Sequence, residues 1–225
     1  MAPILKKDAR SFGGAKPAPQ CGYSKKEERL NFLTHFWAAL VFAPIAAFLT
    51  LKALNGFGFG FKTLSVAAFA FFTDFAFAAS ALYHGSKGGL KPKFKLLDHI
   101  SIFFMTFGLI FAAAELSEMP RAPALALSAA ALAAAVFGAF LKIKTGANGM
   151  KRWSILFYSI MPCAIFIPMF YMRALSVALF LAAGASDLTG LNFYMKKERE
   201  FTHVFWHVFS FITALLDSAA IYFLI

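Results

Sequence analysis

THVFWHVFSFITALLDSAAIYFLI, residues 202–225, is apolar for the length an α-helix needs to cross a bilayer, yet it opens on two histidines. His203-Val-Phe-Trp-His207 spaces the imidazoles by four residues, which sets both on one helical face a turn apart. Polar side chains at the edge of hydrocarbon are costly unless they meet one another or a metal. This stretch therefore predicts a membrane helix that begins with a chelating pair.

The rest of the chain repeats the pattern. Of 225 residues 60% are hydrophobic and 15% charged, whereas a soluble domain is nearer half apolar and a quarter charged. Mean hydropathy is +0.68. Apolar segments at about 32–54, 63–85, 96–115, 122–142, 153–172, 173–194 and 202–225 predict an all-α, polytopic bundle of seven transmembrane helices. Turn chemistry separates them at Asn55-Gly56, Gly88-Gly89 with Pro92, Met119-Pro120 and residues 146–149. Only Arg173 divides the fifth from the sixth. Residues 1–29 read as a basic, disordered tail with no apolar core of its own, and residues 30–225 as the membrane domain. Cys21 and Cys163 lie too far apart to pair, so neither a disulfide nor a thiolate metal site is indicated.

Lys and Arg set the orientation. The tail holds Lys6, Lys7, Arg10, Lys16, Lys25, Lys26 and Arg29; later alternate loops hold Lys87, Lys91, Lys93, Lys95, Lys142, Lys144, Lys151, Arg152, Lys196, Lys197 and Arg199. Lys52, Lys62, Arg121 and Arg173 fall on the other side. The N-terminus is then cytoplasmic and the C-terminus outside, as in a multi-pass protein resident in the cell's inner or plasma membrane. The net charge of +11 is scattered between apolar spans, which argues for anionic lipid headgroups and against nucleic acid as its partner.

Topology converts position into depth. His35, His84, Asp98, His99, His203 and His207, none of them used to set the orientation, all fall in the cytoplasmic layer. Ser80-Ala-Leu-Tyr-His84 repeats the four-residue spacing, so a hydroxyl sits one turn deeper on the face carrying His84. His84, His203 and His207 with one exchangeable position form the pattern of a catalytic zinc site. Asp98 either orients a water there, ligates directly, or caps the third helix. A nitrogen-rich set without thiolates favours zinc over iron or copper but does not exclude them. His35 and His99 read equally well as headgroup-level or interhelical hydrogen bonders. Tyr83, Tyr194, Trp153 and Trp206 read as interfacial anchors. Asp74, Asp187 and Asp217, deeper in the hydrocarbon, should face the bundle interior, as hydrogen-bonded acids or as walls of a polar cavity.

Glu28, Asn31 and Thr34-His35, then Ser80 and His84, Leu97-Asp98-His99, Phe193-Tyr194, and His203 with Trp206-His207 resemble in order the hemolysin III family. That family belongs to the progestin and adiponectin receptor group, which also resembles alkaline ceramidases. The resemblance runs from about residue 27 to the C-terminus. It implies a seven-helix protein with a cytoplasmic N-terminus, zinc on His84, His203 and His207, Asp98 near the water, and Ser80 beside it. Some positions depart: Leu109-Ile110-Phe111-Ala112 follow Gly108 where relatives carry Thr-Tyr-Thr-Pro, and Asp187 and Asp217 replace a tyrosine and a histidine.

Two functions stay open. One is zinc-dependent, ceramidase-like hydrolysis of a lipid amide or ester, with Ser80 and Asp98 catalytic and a membrane lipid as substrate. The other is a non-enzymatic, zinc-stabilised membrane sensor or homeostasis factor. The cytolysis implied by the family name fits poorly, since a secreted pore former needs an export route and an exposed amphipathic element. A retinal protein is excluded because the last segment has no lysine for a Schiff base.

Overall fold

The structure, a computed structural model, describes residues 23–149, 151–196 and 198–225, apart from the side chains of Lys151 and Arg152. Among the described residues every regular element is a helix and there is no strand: α1 (Lys25–Phe57), α2 (Phe61–Gly85), α3 (Leu90–Leu116), α4 (Arg121–Thr145), α5 (Lys151–Ile160), α6 (Phe166–Met169), α7 (Ala174–Met195) and α8 (Thr202–Tyr222). Six are long and apolar enough to cross a membrane: α1 to α4, α7 and α8. The seventh apolar segment is shorter, Trp153–Met169.

Local chemistry explains where these elements depart from the sequence reading. α1 starts at Lys25, within the expected tail, because Ser24 and Glu27 form a capping box: each side chain accepts the other's backbone N–H, at 3.2 and 2.9 Å. Residues 1–22 of that tail lie outside the described residues. Asn55-Gly56 stays helical, and α1 turns instead at Gly58, whose φ of 69° suits a residue without Cβ. The fifth segment is not one helix. α5 passes into a 3₁₀ stretch, Met161–Ile165, at Pro162, which has no N–H to give and whose ring crowds the preceding turn.

α1 packs against α2 and α8, α2 against α3, α3 against α4 and the 3₁₀ stretch, and α7 against α8. Contacts between loops reveal two ends. At one, Lys91 reaches Glu28, Lys95 reaches Asn148 and Phe201 reaches Glu27, which gathers the starts of α1 and α3 with the loops that follow α4 and α7. At the other, Lys52 donates to the Tyr222 carbonyl and Arg121 pairs with buried Glu115.

The bundle is apolar outside and mixed within. Trp37, Leu51, Phe71, Phe140 and Phe170 are exposed, while Asn31, Thr73, Ser80, His84 and His207 are buried beside Phe42, Phe69, Ile110 and Ile221. That arrangement suits lipid as the solvent, where helices associate through small residues and inward polar groups. Gly108 marks the closest approach: a Cβ there would lie 2.9 Å from the Phe69 Cα and 3.0 Å from the Ala68 carbonyl oxygen of α2.

Gly108→Ala should accordingly destabilise the bundle by about 1–3 kcal/mol through overpacking. Gly184, where an added Cβ meets nothing within 4 Å, provides the control. Thermal unfolding in detergent should show Gly108→Ala melting below Gly184→Ala, and equal midpoints would contradict the close approach.

Candidate metal centre

Two helix ends, the last turn of α2 and the first two turns of α8, bring His84, His203 and His207 together. One ring nitrogen from each lies within 4.8 Å of the other two. The α8 pair realises the four-residue spacing, with Nε2 to Nε2 at 3.1 Å. Two nitrogens bound tetrahedrally to one zinc at about 2.0 Å stand roughly 3.3 Å apart, so little movement is needed. His84 and His207 are buried, and the His84 Nε2 has no hydrogen-bond partner.

The far nitrogens are held from α1. His84 Nδ1 lies 2.7 Å from the Glu28 carboxylate, whose other oxygen takes Lys91 Nζ at 2.9 Å. His207 Nδ1 lies 3.2 Å from the Asn31 carbonyl and 3.0 Å from the Thr34 hydroxyl. An imidazole that donates N–H from Nδ1 presents a bare lone pair at Nε2, as ligand histidines do. The donor set, its burial and the partnerless His84 Nε2 fit a metal of zinc's preferences.

Around the ligands lies an aromatic wall. Tyr23 stacks on His203 with ring centres 4.7 Å apart and tilts toward His84 at 5.7 Å. Burial, together with Tyr194, Tyr83, Glu28 and Asp98, holds its phenol above the ordinary tyrosine pKa, so it stays neutral. Tyr83, expected as an interfacial anchor, is buried against His84 at 4.4 Å, and Tyr194 lies 5.7 Å from His203. Trp153 is exposed, as an anchor should be.

The other expected site residues divide. Ser80 is buried one turn from His84, close enough to Asp98 of α3 for its hydroxyl to act on that carboxyl. His35 is buried within the bundle, stacked on His207 at 3.6 Å, with no hydrogen-bond partner on either ring nitrogen. His99 stands apart, its Nδ1 3.0 Å from the Ala147 carbonyl. Of the deep acids, Asp217 is buried and Asp74 and Asp187 are partly so. Asp187 is close enough to Asp217 to act on it electrostatically.

Sequence reasoning assigned no part to Tyr23, Glu27 or Lys91 at this site. Ser24-x-x-Glu27 ahead of an apolar run was the signal that places the start of α1 beside the ligands.

His203→Ala and His207→Ala should each lose most of the roughly one zinc per chain expected from elemental analysis of detergent-purified protein. Glu28→Ala keeps every ligand but frees the His84 ring, so zinc affinity should fall about 10–100-fold. Undiminished zinc in the double histidine variant would refute the centre.

No curated protein matches this sequence significantly. The family model for haemolysin-III related proteins matches residues 23–217, beginning at the tyrosine that stacks on His203. With nearly the whole chain covered, and the motif histidines of α2 and α8 meeting at one point, the protein belongs to the haemolysin-III related family.

Proposed function

We propose that the chain is a seven-span membrane protein with a cytoplasmic N-terminus that holds zinc on His84, His203 and His207 and hydrolyses an amide or ester bond of a membrane lipid. The single observation that carries the reading is the meeting of three imidazoles at one point, with buried Ser80 one turn from His84 on the same helix. The segment Trp153–Met169 supplies the seventh crossing. The end that gathers Glu28, Lys91, Lys95 and Asn148 is also the end rich in Lys and Arg, which supports its lying in the cytoplasm of a cell membrane.

His84, His203 and His207 would hold the zinc, which would supply a Lewis acid able to polarise a carbonyl and acidify water. The chain's own groups do the rest. Asp98 accepts the proton of the attacking water and returns it to the leaving group. The Ser80 hydroxyl donates to the Asp98 carboxylate and so holds the base in place. His84, fixed by Glu28, and His207, fixed by Asn31 and Thr34, keep their rotamers as charge develops. A site at the edge of hydrocarbon lets a lipid headgroup enter while its acyl chain stays between helices.

A second reading, a zinc-stabilised sensor without activity, is favoured by Tyr23 lying against two of the three ligands. Release of fatty acid from a lipid panel, abolished by a chelator and restored by zinc, supports the hydrolase; no release from any lipid supports the sensor.

In the hydrolase, Ser80→Ala and Asp98→Asn should retain zinc and lose activity by about a hundredfold or more. If Asp98→Ala instead strips the metal, the aspartate is a fourth ligand and the closed site is structural. For topology, a cysteine at Lys91 should resist an impermeant external reagent in intact cells, and labelling from outside would invert the bundle.

A further inference from the structure

The first turn of α8 starts from a strained residue. Phe201, two positions before His203, has φ 62° and ψ 4°, and it has the only positive φ among the described residues other than glycine. A bulky residue rarely adopts the left-handed region unless its surroundings hold it there. Here the hold comes from α1. The Phe201 N–H donates to Glu27 Oε1 at 2.9 Å, and Lys26 Nζ lies 5.4 Å from the centre of the Phe201 ring. The Glu27 Oε2 atom accepts the Ser24 N–H at 2.9 Å, so one carboxylate ties the start of α1 to the start of α8. Tyr23, on the same turn, stacks on His203 itself.

We propose that Glu27 is a positioning residue for the metal centre: its bond to the Phe201 N–H fixes the left-handed turn that aims His203 at His84 and His207. This rests on the metal reading above. Glu28 and Asn31 fix the other two ligands directly, whereas Glu27 acts through the backbone of the third. Each ligand thus takes its orientation from the first turns of α1, which supplies no ligand of its own.

Zinc affinity measured by competition with a chromophoric chelator tests this, with cobalt(II) absorption as a report on coordination geometry. Glu27→Ala should weaken zinc about tenfold, the low end for groups that orient a ligand, and alter the cobalt spectrum. Glu27→Gln, which still accepts the Phe201 N–H, should stay close to the unaltered chain. Phe201→Gly in the Glu27→Ala background should recover part of the affinity, since glycine adopts the left-handed turn without strain. Ser24→Ala removes the helix cap but leaves the Glu27–Phe201 bond, so it should lower stability and spare affinity. The idea is overturned if Glu27→Ala binds zinc as well as the unaltered chain, if Gln is as poor as Ala, if glycine at 201 restores nothing, or if Ser24→Ala weakens zinc as much as Glu27→Ala. Hydrogen exchange on metal-free protein separates this from the metal reading. Glu27→Ala should speed exchange at residues 202–206 whether or not the chain binds zinc, and unchanged exchange there overturns the positioning role. An unaltered chain that binds no zinc refutes the metal centre alone.

Discussion

The orientation of two buried imidazoles, His84 and His207, by groups of α1 is the constraint on which this end of the bundle depends. His35, stacked on His207, leaves both of its own nitrogens without a hydrogen-bond partner. A ring nitrogen removed from water without a partner costs on the order of 1–3 kcal/mol. His84 and His207 avoid that cost at Nδ1 through Glu28, Asn31 and Thr34, all within the first three turns of α1. The His207 Nε2 then meets the His203 Nε2 at 3.1 Å, while the His84 Nε2 beside them has no hydrogen-bond partner. Under the proposed metal reading, a cation shared by the three rings would remove that penalty, and the groups that orient the rings would favour its binding.

α1 can serve two helices at once because of its length. At 33 residues it extends about 50 Å, well beyond the roughly 30 Å of hydrocarbon a bilayer presents. Its middle is apolar and packs through Ala38, Phe42 and Leu49, while its first turns are polar enough to leave the apolar layer. There they meet the ends of α2 and α8 and the first turn of α3, where Lys91 offsets the charge of Glu28. Elsewhere the bundle holds by small residues in close approach, as at Gly108, and by aromatic packing of Phe42, Phe69 and Phe77.

Much of this was legible in the sequence because it is local or periodic. Hydrophobic length marks the helices, and the four-residue spacings of Ser80–His84 and His203–His207 give shared faces from helical geometry alone. The chain-wide ordering of Lys and Arg predicted that the histidine-bearing ends share a layer, and the loop contacts unite those ends. What escaped depends on partners distant in sequence. Glu28 against His84, Tyr23 on His203 and Glu27 on Phe201 are contacts between the first helix and elements far along the chain, and no period encodes them. The broken fifth segment escaped for another reason: apolar composition persists across Pro162 while hydrogen bonding does not. Tyr83 was misread because an aromatic at a helix end serves a membrane interface and a site wall equally well, and only the packing of α2 decides between them.

The order of assembly follows from the same geometry. α2 contributes one histidine of the cluster early in the chain and α8 the other two at its end, so the cluster cannot form until the last helix is in place. α1 packs against both and is made first, so it can hold His84 through Glu28 while the later helices are added. α8 arrives with its two ligands already a turn apart and needs only the correct angle at its first residue. That angle is set at Phe201, the one strained non-glycine residue described, and it is set by α1. A chain that keeps such strain at a ligand-bearing helix start spends stability on geometry, which is what a metal demands and lipid packing alone does not.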